Sequence, residues 1–125
     1  MINKVSTRYY SDMHEKSVCR ALSEAVDEAN GAYQQPSSGS GHFRKGDVIC
    51  KSASLLCECK CKMSESSSVS IKKEWIEKNK EEAFTQRMDH SCIAFNFGPD
   101  SKNYYVIDEN LMKFLVSRLK EFESE

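Results

Sequence analysis

Three stretches of the chain space their apolar residues as helices do. The first spans residues 12–30 and has one apolar stripe, formed by Val18, Leu22, Ala25 and Ala29. Asp12 has the position of an N-cap, and Asn30-Gly31 is a typical stop signal. Residues 70–87 and 109–122 show comparable spacing. The pattern therefore predicts a first, a middle and a closing helix.

Four shorter apolar or alternating stretches predict strands, and they cover residues 47–51, 55–63, 91–97 and 103–108. A short turn joins the first two, which predicts a β-hairpin. The middle helix separates the second strand from the third, so we expect an early strand to pair in parallel with 91–97 through a crossover. The expected fold is α/β, a small mixed sheet flanked by helices in the order α-β-β-α-β-β-α.

Length and composition narrow the class of protein. A chain of 125 residues is expected to form one domain, residues 1–125. It has no stretch of about 20 apolar residues and no apolar segment near its start of the kind found in signal peptides, so we expect a soluble cytoplasmic protein. A net charge of −1 argues against non-specific coating of nucleic acid. Lysine and arginine nevertheless concentrate in the middle third of the chain.

The cysteines are the most unusual compositional feature. Three of the six alternate along the second predicted strand, at Cys57, Cys59 and Cys61, and therefore share one face. The chain contains no C-x-x-C pair. We interpret the cysteines as free, buried thiols that pack as small apolar groups, with a zinc–thiolate site as the alternative.

Charged residues lie between the alternating thiols. If the thiols turn inward, Glu58 and Lys60 project side by side from the opposite face. Asp47 opens the preceding strand of the hairpin and points to the same face as Ile49. An aspartate, a glutamate and a lysine can therefore converge at one end of the hairpin.

This trio has a definite chemistry. Two carboxylates bind Mg²⁺ or Mn²⁺ through oxygen, and the metal lowers the pKa of a bound water. A neighbouring ammonium stabilises the charge that develops on a phosphate. The trio thus predicts a site for phosphodiester hydrolysis. Alternating charges are equally typical of a solvated strand face, and spacing alone leaves that alternative open.

A family resemblance favours hydrolysis. The pattern Asp47-x10-Glu58-Cys59-Lys60 resembles the PD-(D/E)xK nuclease motif. The segments "SSGSGHFRKGDVI" and "LLCECK" resemble the Holliday junction resolvase branch, both archaeal and phage-type, with Ser38-Gly39 and Lys45-Gly46-Asp47 at matching positions. The segment "EKSVCRAL", which starts at Glu15, matches the family's E-x-x-V-x-x-x-L helix. The resemblance covers residues 12–97 and implies a restriction-endonuclease-like core.

The resemblance also implies roles for these residues. Asp47, Glu58 and the backbone carbonyl of Cys59 would hold Mg²⁺, with Mn²⁺ as a substitute, and Lys60 would serve the attacking water and the scissile phosphate. Two further catalytic residues are implied, namely Glu15, for a second metal or a water, and Ser38, close to the phosphate.

Alternatives stay open for these last two residues. Glu15 continues the apolar stripe of its helix, and a carboxylate on the buried side of a helix is costly unless it is paired or bound to metal. A first-turn glutamate is also favoured by the helix dipole or by capping. Glu24 is the reserve candidate, although it falls off the stripe. Ser38 lies in a run of serine and glycine, which by itself is ordinary loop composition.

Basic residues around the motif are candidates for contacts with the DNA backbone, which position a protein without reading sequence. They are Arg44, Lys45, His42, Lys62, Lys72 and Lys73. A solvated basic face is the alternative.

The function expected from the resemblance is a Mg²⁺-dependent endonuclease that resolves four-way DNA junctions by paired symmetric nicks. Two symmetric nicks imply a homodimer. The expected partner is branched DNA, with no membrane and no organic cofactor, in the host cytoplasm if the protein is phage-encoded. The alternatives are a nuclease for flaps, single strands or duplex, and a non-catalytic nucleic-acid-binding module.

Overall fold

The computed structural model describes residues 7–35 and 47–124. Its helices are α1 (Thr7–Val26), α2 (Lys73–Thr85) and α3 (Glu109–Ser124). Its strands are β1 (Ala32–Gln34), β2 (Asp47–Cys50), β3 (Leu55–Lys60), β4 (His90–Phe95) and β5 (Tyr104–Val106), and a 3₁₀ turn at Lys51–Ala53 joins β2 to β3.

The strands form one mixed sheet in the order β1-β2-β3-β4-β5. β3 and β4 are parallel and the other neighbours are antiparallel. The α/β class, the β2–β3 hairpin and the parallel pairing across α2 are therefore confirmed. The described order is α-β-β-β-α-β-β-α, so the prediction lacked one strand. That strand, β1, has only three residues, too few for a recognisable alternation, and its pairing with β2 holds it in the sheet.

Both predicted ends of α1 were wrong. The helix begins at Thr7, so Asp12 is no N-cap but lies inside the helix, 3.1 Å from the ammonium of Lys16. The helix ends at Val26, before Asp27, whose φ of 55° is left-handed. Ala25 is exposed, and Val26 continues the buried stripe instead. Val18 and Leu22 keep the inward positions that the pattern predicted.

The core is divided between the two faces of the sheet. On one face α1 covers a cluster of small and apolar side chains, namely Val18, Ala32, Val48, Cys50, Cys57, Cys92 and Ala94. On the other face Ala83 of α2 packs with Ile49 and Leu56. The two clusters use alternate residues of β2 and β3, as a pleated strand requires.

The thiols are free and mostly inward-facing, as predicted. Cys50, Cys57 and Cys92 are buried beneath α1, and Cys59 packs against the same cluster. A hydrogen bond with the Cys59 thiol, together with burial, raises the pKa of Cys57. Cys57 is therefore a neutral core group of low reactivity.

The closing helix α3 has a different relation to the sheet. Asp108 caps its first turn by accepting a hydrogen bond from the backbone N–H of Leu111 at 2.9 Å. The ring of Phe114 stacks on His90 with centroids 5.8 Å apart. Leu111 is half-buried, whereas Phe114 and the apolar side chains at Met112, Leu115, Val116, Leu119 and Phe122 are exposed to solvent. Across residues 7–35 and 47–124, no helix combines the length and the apolar character needed to cross a bilayer.

Candidate metal centre

The β2–β3 hairpin places two carboxylates opposite each other. Asp47 and Glu58 are direct partners in the antiparallel register. Their side chains lie on the α2 face, because Ile49 and Leu56, two residues away on each strand, pack there. Only 2% of Asp47 and 8% of Glu58 is exposed. Burying two neighbouring carboxylates is costly unless cations or hydrogen bonds compensate them, so this pair indicates a functional site.

Helix α2 contributes a third carboxylate. Oxygens of Asp47, Glu58 and Glu82 all lie within 4.8 Å of one another. The packing of Ala83 against Ile49 and Leu56 fixes this end of α2 above the hairpin, which brings the adjacent Glu82 to the strand carboxylates.

Sequence reasoning missed Glu82. It belongs to the charged run "EKNKEEAF", in which Glu81 and Glu82 look equivalent. One signal was present: Glu82 follows Asn79 by three positions, and Asn79 is a buried residue of α2. A carboxylate one helical turn from a buried position, on the side that faces the hairpin, is a candidate ligand.

Lys60 stands beside the carboxylates, two residues after Glu58 on the same face of β3. Its ammonium lies 3.0 Å from Oε2 of Glu58. It also lies 4.6 Å from the ring centroid of Trp75, within the range of a cation–π contact. The predicted side-by-side projection of Glu58 and Lys60 is confirmed. Trp75 and Glu58 together hold the ammonium at the edge of the site.

The donor set fits a hard divalent cation. Carboxylate oxygens are the ligands of Mg²⁺ and Mn²⁺, and three of them converge here. Within the described ranges this is the one group of three or more potential metal ligands so close together. The thiols face the other side of the sheet. Of Cys57, Cys59 and Cys61, the least buried is Cys61, and burial raises the pKa of its thiol. A zinc–thiolate site needs deprotonated thiols, so the geometry favours the carboxylate site over that alternative.

Glu15 is buried as its stripe predicted, with 2% of it exposed. Its Oε1 accepts a hydrogen bond of 2.9 Å from the side-chain amide of Gln34, which also donates to Asp12 at 2.9 Å. Glu15 does not belong to the close group of three carboxylates. Helix α1, which carries it, covers the thiol face of the sheet. Its catalytic role stays a prediction, and the reserve candidate Glu24 is exposed.

The remaining predicted residues fall into two groups. Ser38, His42, Arg44 and Lys45 lie outside the described residues. Lys62, Lys72 and Lys73 are described and follow the motif strand or open α2.

One of those lysines, Lys72, lies near the metal centre. The ammonium of Lys72 is 5.9 Å from the ring centroid of Trp75, which also contacts Lys60. The backbone N–H of Lys62 donates to the side chain of Asn96 at 2.9 Å. Lys73 instead faces Glu77 at 3.9 Å, as an exposed ion pair of α2. Cys59 lies between Glu58 and Lys60, and the role of its carbonyl stays a prediction.

His14 is a buried polar residue that is held by contacts within the fold. Its Nε2 lies 3.2 Å from the carbonyl of Ala94, and its Nδ1 lies 3.5 Å from the side-chain nitrogen of Asn96. When Nε2 donates to that carbonyl and Nδ1 accepts from Asn96, the ring carries one proton and is neutral. Burial lowers the pKa of His14, which keeps it in that form.

A comparison of this chain with protein-family models, with curated proteins and with solved structures gives no match. The resemblance to PD-(D/E)xK nucleases therefore depends on the motif residues alone. What the structure adds is their geometry: a carboxylate pair across a hairpin, a third carboxylate from the next helix and a lysine beside them.

Proposed function

We propose that this chain is a metal-dependent endonuclease that acts on branched DNA and resolves four-way junctions by paired nicks. One observation carries the proposal: oxygens of Asp47, Glu58 and Glu82 converge within 4.8 Å beside the ammonium of Lys60. Carboxylates that hold a divalent cation next to a lysine are the elements that phosphodiester hydrolysis needs.

Each residue of the site has a task in this proposal. Asp47, Glu58 and Glu82 hold Mg²⁺, with Mn²⁺ as a substitute. When bound, Mg²⁺ supplies an activated water and a counter-charge for the scissile phosphate. Lys60 orients the water and neutralises charge that develops on the phosphate oxygens. Trp75 restricts the lysine to the position where it does so, because its ring lies 4.6 Å from the ammonium.

The described topology supports the finer fold assignment, a restriction-endonuclease-like core. In the proposal, the hairpin β2–β3 carries the motif, α2 crosses over, and β4 pairs in parallel with the motif strand.

Helix α3 supports the homodimer. Five of its apolar side chains are exposed along one side of the helix, at Met112, Leu115, Val116, Leu119 and Phe122, the last with 78% of its surface. A continuous exposed apolar surface of this kind is typical of protein interfaces. A second copy of the chain is the occupant that two symmetric nicks require. We therefore assign α3 to the dimer interface in this proposal.

The test of the activity is cleavage of a synthetic four-way junction in Mg²⁺. Wild type should give paired nicks across the branch point, whereas Asp47→Asn and Lys60→Ala should bind the junction and fail to cut it. Glu81→Gln is the matched control, because Glu81 is exposed on α2 next to Glu82 and should leave cleavage unchanged.

The substrates in the same experiment separate the alternative functions. A linear duplex, a flap or a single strand cut as fast as the junction would indicate a nuclease of other specificity. Tight, metal-independent binding without any cut would indicate a non-catalytic nucleic-acid-binding module and contradict the proposed activity.

The dimer assignment has its own test, the mass of the protein in solution by light scattering. Wild type should be a dimer, and Leu119→Glu, which places a charge in the exposed apolar row, should be a monomer. Ser117→Glu is the control on the polar side of the helix. A wild-type monomer at micromolar concentration would contradict the assignment.

A further inference from the structure

An aromatic cluster lies on the sheet beside the candidate metal centre. The rings of Phe95, Phe97 and Tyr104 contact one another, with centroid distances of 5.7 Å, 5.9 Å and 5.5 Å. The Phe97 ring stands edge-on to the other two, which are tilted by only 31° from each other. The cluster is therefore a fixed arrangement of rings.

The strand register puts this cluster on the face of the metal centre. Lys60 is the partner of Phe95 across the parallel β3–β4 pair, and Phe95 is the partner of Tyr104 across β4–β5. Direct partners project to the same side of a sheet, so the three side chains form one row. Neighbouring strands are about 4.8 Å apart, which places the Tyr104 strand about 10 Å from the Lys60 strand.

Exposure and charge indicate what the row binds. An aromatic cluster that only filled the core would be buried, but 47% of Tyr104 is exposed. Basic groups lie near it: the ammonium of Lys60 stands in the same row, and that of Lys72 lies 5.9 Å from the Trp75 ring that Lys60 also contacts. Exposed rings next to ammonium groups match a nucleobase with its phosphate, because every base has a flat π-face and an adjoining anion.

We propose that Tyr104, supported by Phe95 and Phe97, stacks on a nucleobase exposed at the branch point of DNA while the adjoining phosphate lies at Lys60. This inference rests on the proposed nuclease function and names the basis of its substrate selectivity. A continuous duplex hides the faces of its bases within the stack. A branch point exposes the faces of the base pairs that flank it, so stacking at Tyr104 discriminates a branch point from the continuous interior of a duplex.

The test measures DNA binding separately from cleavage, with Ca²⁺ in place of Mg²⁺. The probes are a four-way junction with 2-aminopurine next to the branch point and a linear duplex of the same sequence. Tyr104→Ala should weaken junction binding about ten- to a hundredfold and leave duplex binding unchanged. Tyr104→Phe retains the ring and should bind as wild type does.

The matched control is Tyr105→Ala. Tyr105 is the next residue of β5, is exposed to a similar extent and points to the opposite face of the sheet. It should bind the junction as wild type does. Equal junction affinities for Tyr104→Ala and Tyr105→Ala would overturn the inference.

A measurement on the wild type covers the case in which Tyr104→Ala does not fold. Stacking should quench 2-aminopurine fluorescence at the branch point, and a photoreactive 5-iodouracil at that position should cross-link to the peptide that contains Tyr104. A cross-link confined to other peptides would also overturn the inference. Stacking at Tyr104 without cleavage in Mg²⁺ would support this inference and contradict the nuclease function. Cleavage of the junction in Mg²⁺, with Tyr104→Ala binding it as tightly as wild type, would support the nuclease function and contradict this inference.

Discussion

The two faces of strand β3 have opposite characters although their residues alternate one by one. Toward α1, Cys57 is fully buried among small apolar side chains. Toward α2, the next residue, Glu58, is almost as buried but lies among carboxylates and beside an ammonium. Burial therefore does not distinguish core from site in this protein. The partners of each side chain do.

The difference has an energetic meaning. The α1 face stabilises the fold, since burial of a valine such as Val18 or Val48 contributes about 1.5–3 kcal/mol and the smaller side chains add to it. Three carboxylates held together on the α2 face repel one another, and Lys60 offsets one of their charges. Such a concentration of like charge is expected where a cation is to be bound, at the expense of stability. The contrast between the two faces leads to four predictions, ordered by the expected size of the effect.

The largest effect should follow from neutralising a carboxylate on the α2 face. Glu58→Gln and Glu82→Gln should each reduce Mg²⁺-dependent junction cleavage by about 10²–10³-fold, because a ligand and its charge are lost while the shape is kept. Single-turnover cleavage measures the loss. Glu24→Gln, an exposed change on α1, should retain full activity. Full activity in Glu82→Gln would remove the α2 carboxylate from the site.

Metal binding should stabilise the protein through this same face. At a Mg²⁺ concentration of about 100 times its dissociation constant, the free energy of unfolding should rise by about 2.7 kcal/mol. Thermal unfolding with Mg²⁺ and after treatment with a chelator measures the difference. Asp47→Asn should lose most of it. An equal stabilisation of wild type and Asp47→Asn would show that the cation binds elsewhere.

A polar change on the α1 face should affect stability and leave the chemistry intact. Cys57→Ser buries a hydroxyl among apolar groups and should lower the free energy of unfolding by about 1–3 kcal/mol. Urea denaturation measures this loss. Junction cleavage by the folded fraction should be unchanged. A loss of cleavage by the folded fraction would instead show that the thiol face contributes to the activity of the site.

The smallest effect concerns pH. Burial lowers the pKa of His14, so the unfolded chain binds a proton that the folded protein excludes. His14 therefore favours the folded state fully above its unfolded pKa of about 6.5, and this contribution falls as the pH drops toward the lowered folded value. The slope is at most about 1.4 kcal/mol per pH unit.

A comparison of wild type with His14→Gln isolates this contribution from that of the carboxylates. Stability measured between pH 7 and pH 5 should fall less in His14→Gln, because glutamine keeps a donor for the carbonyl of Ala94 and does not titrate. Parallel curves for the two proteins would assign the acid sensitivity to other groups.

Local patterns were sufficient for much of this protein. Period-two alternation along 55–60 predicted inward thiols and the pairing of Glu58 with Lys60, and the short turn after β2 predicted the hairpin that sets Asp47 opposite Glu58. Alternation and hairpin register are properties of neighbouring residues, so a sequence displays them directly. The same is true of the buried stripe that includes Glu15 and Val18.

Contacts between distant segments required the tertiary structure. Glu82 joins Asp47 and Glu58 because Ala83 packs on the hairpin, and in the sequence only its position one turn after Asn79 separates it from Glu81. The aromatic row depends on how β4 and β5 align with β3. The sequence by itself determined which face of each strand is polar, because successive side chains of a strand point to opposite faces. The tertiary structure decided which polar groups share a site, because that depends on the packing of elements far apart along the chain.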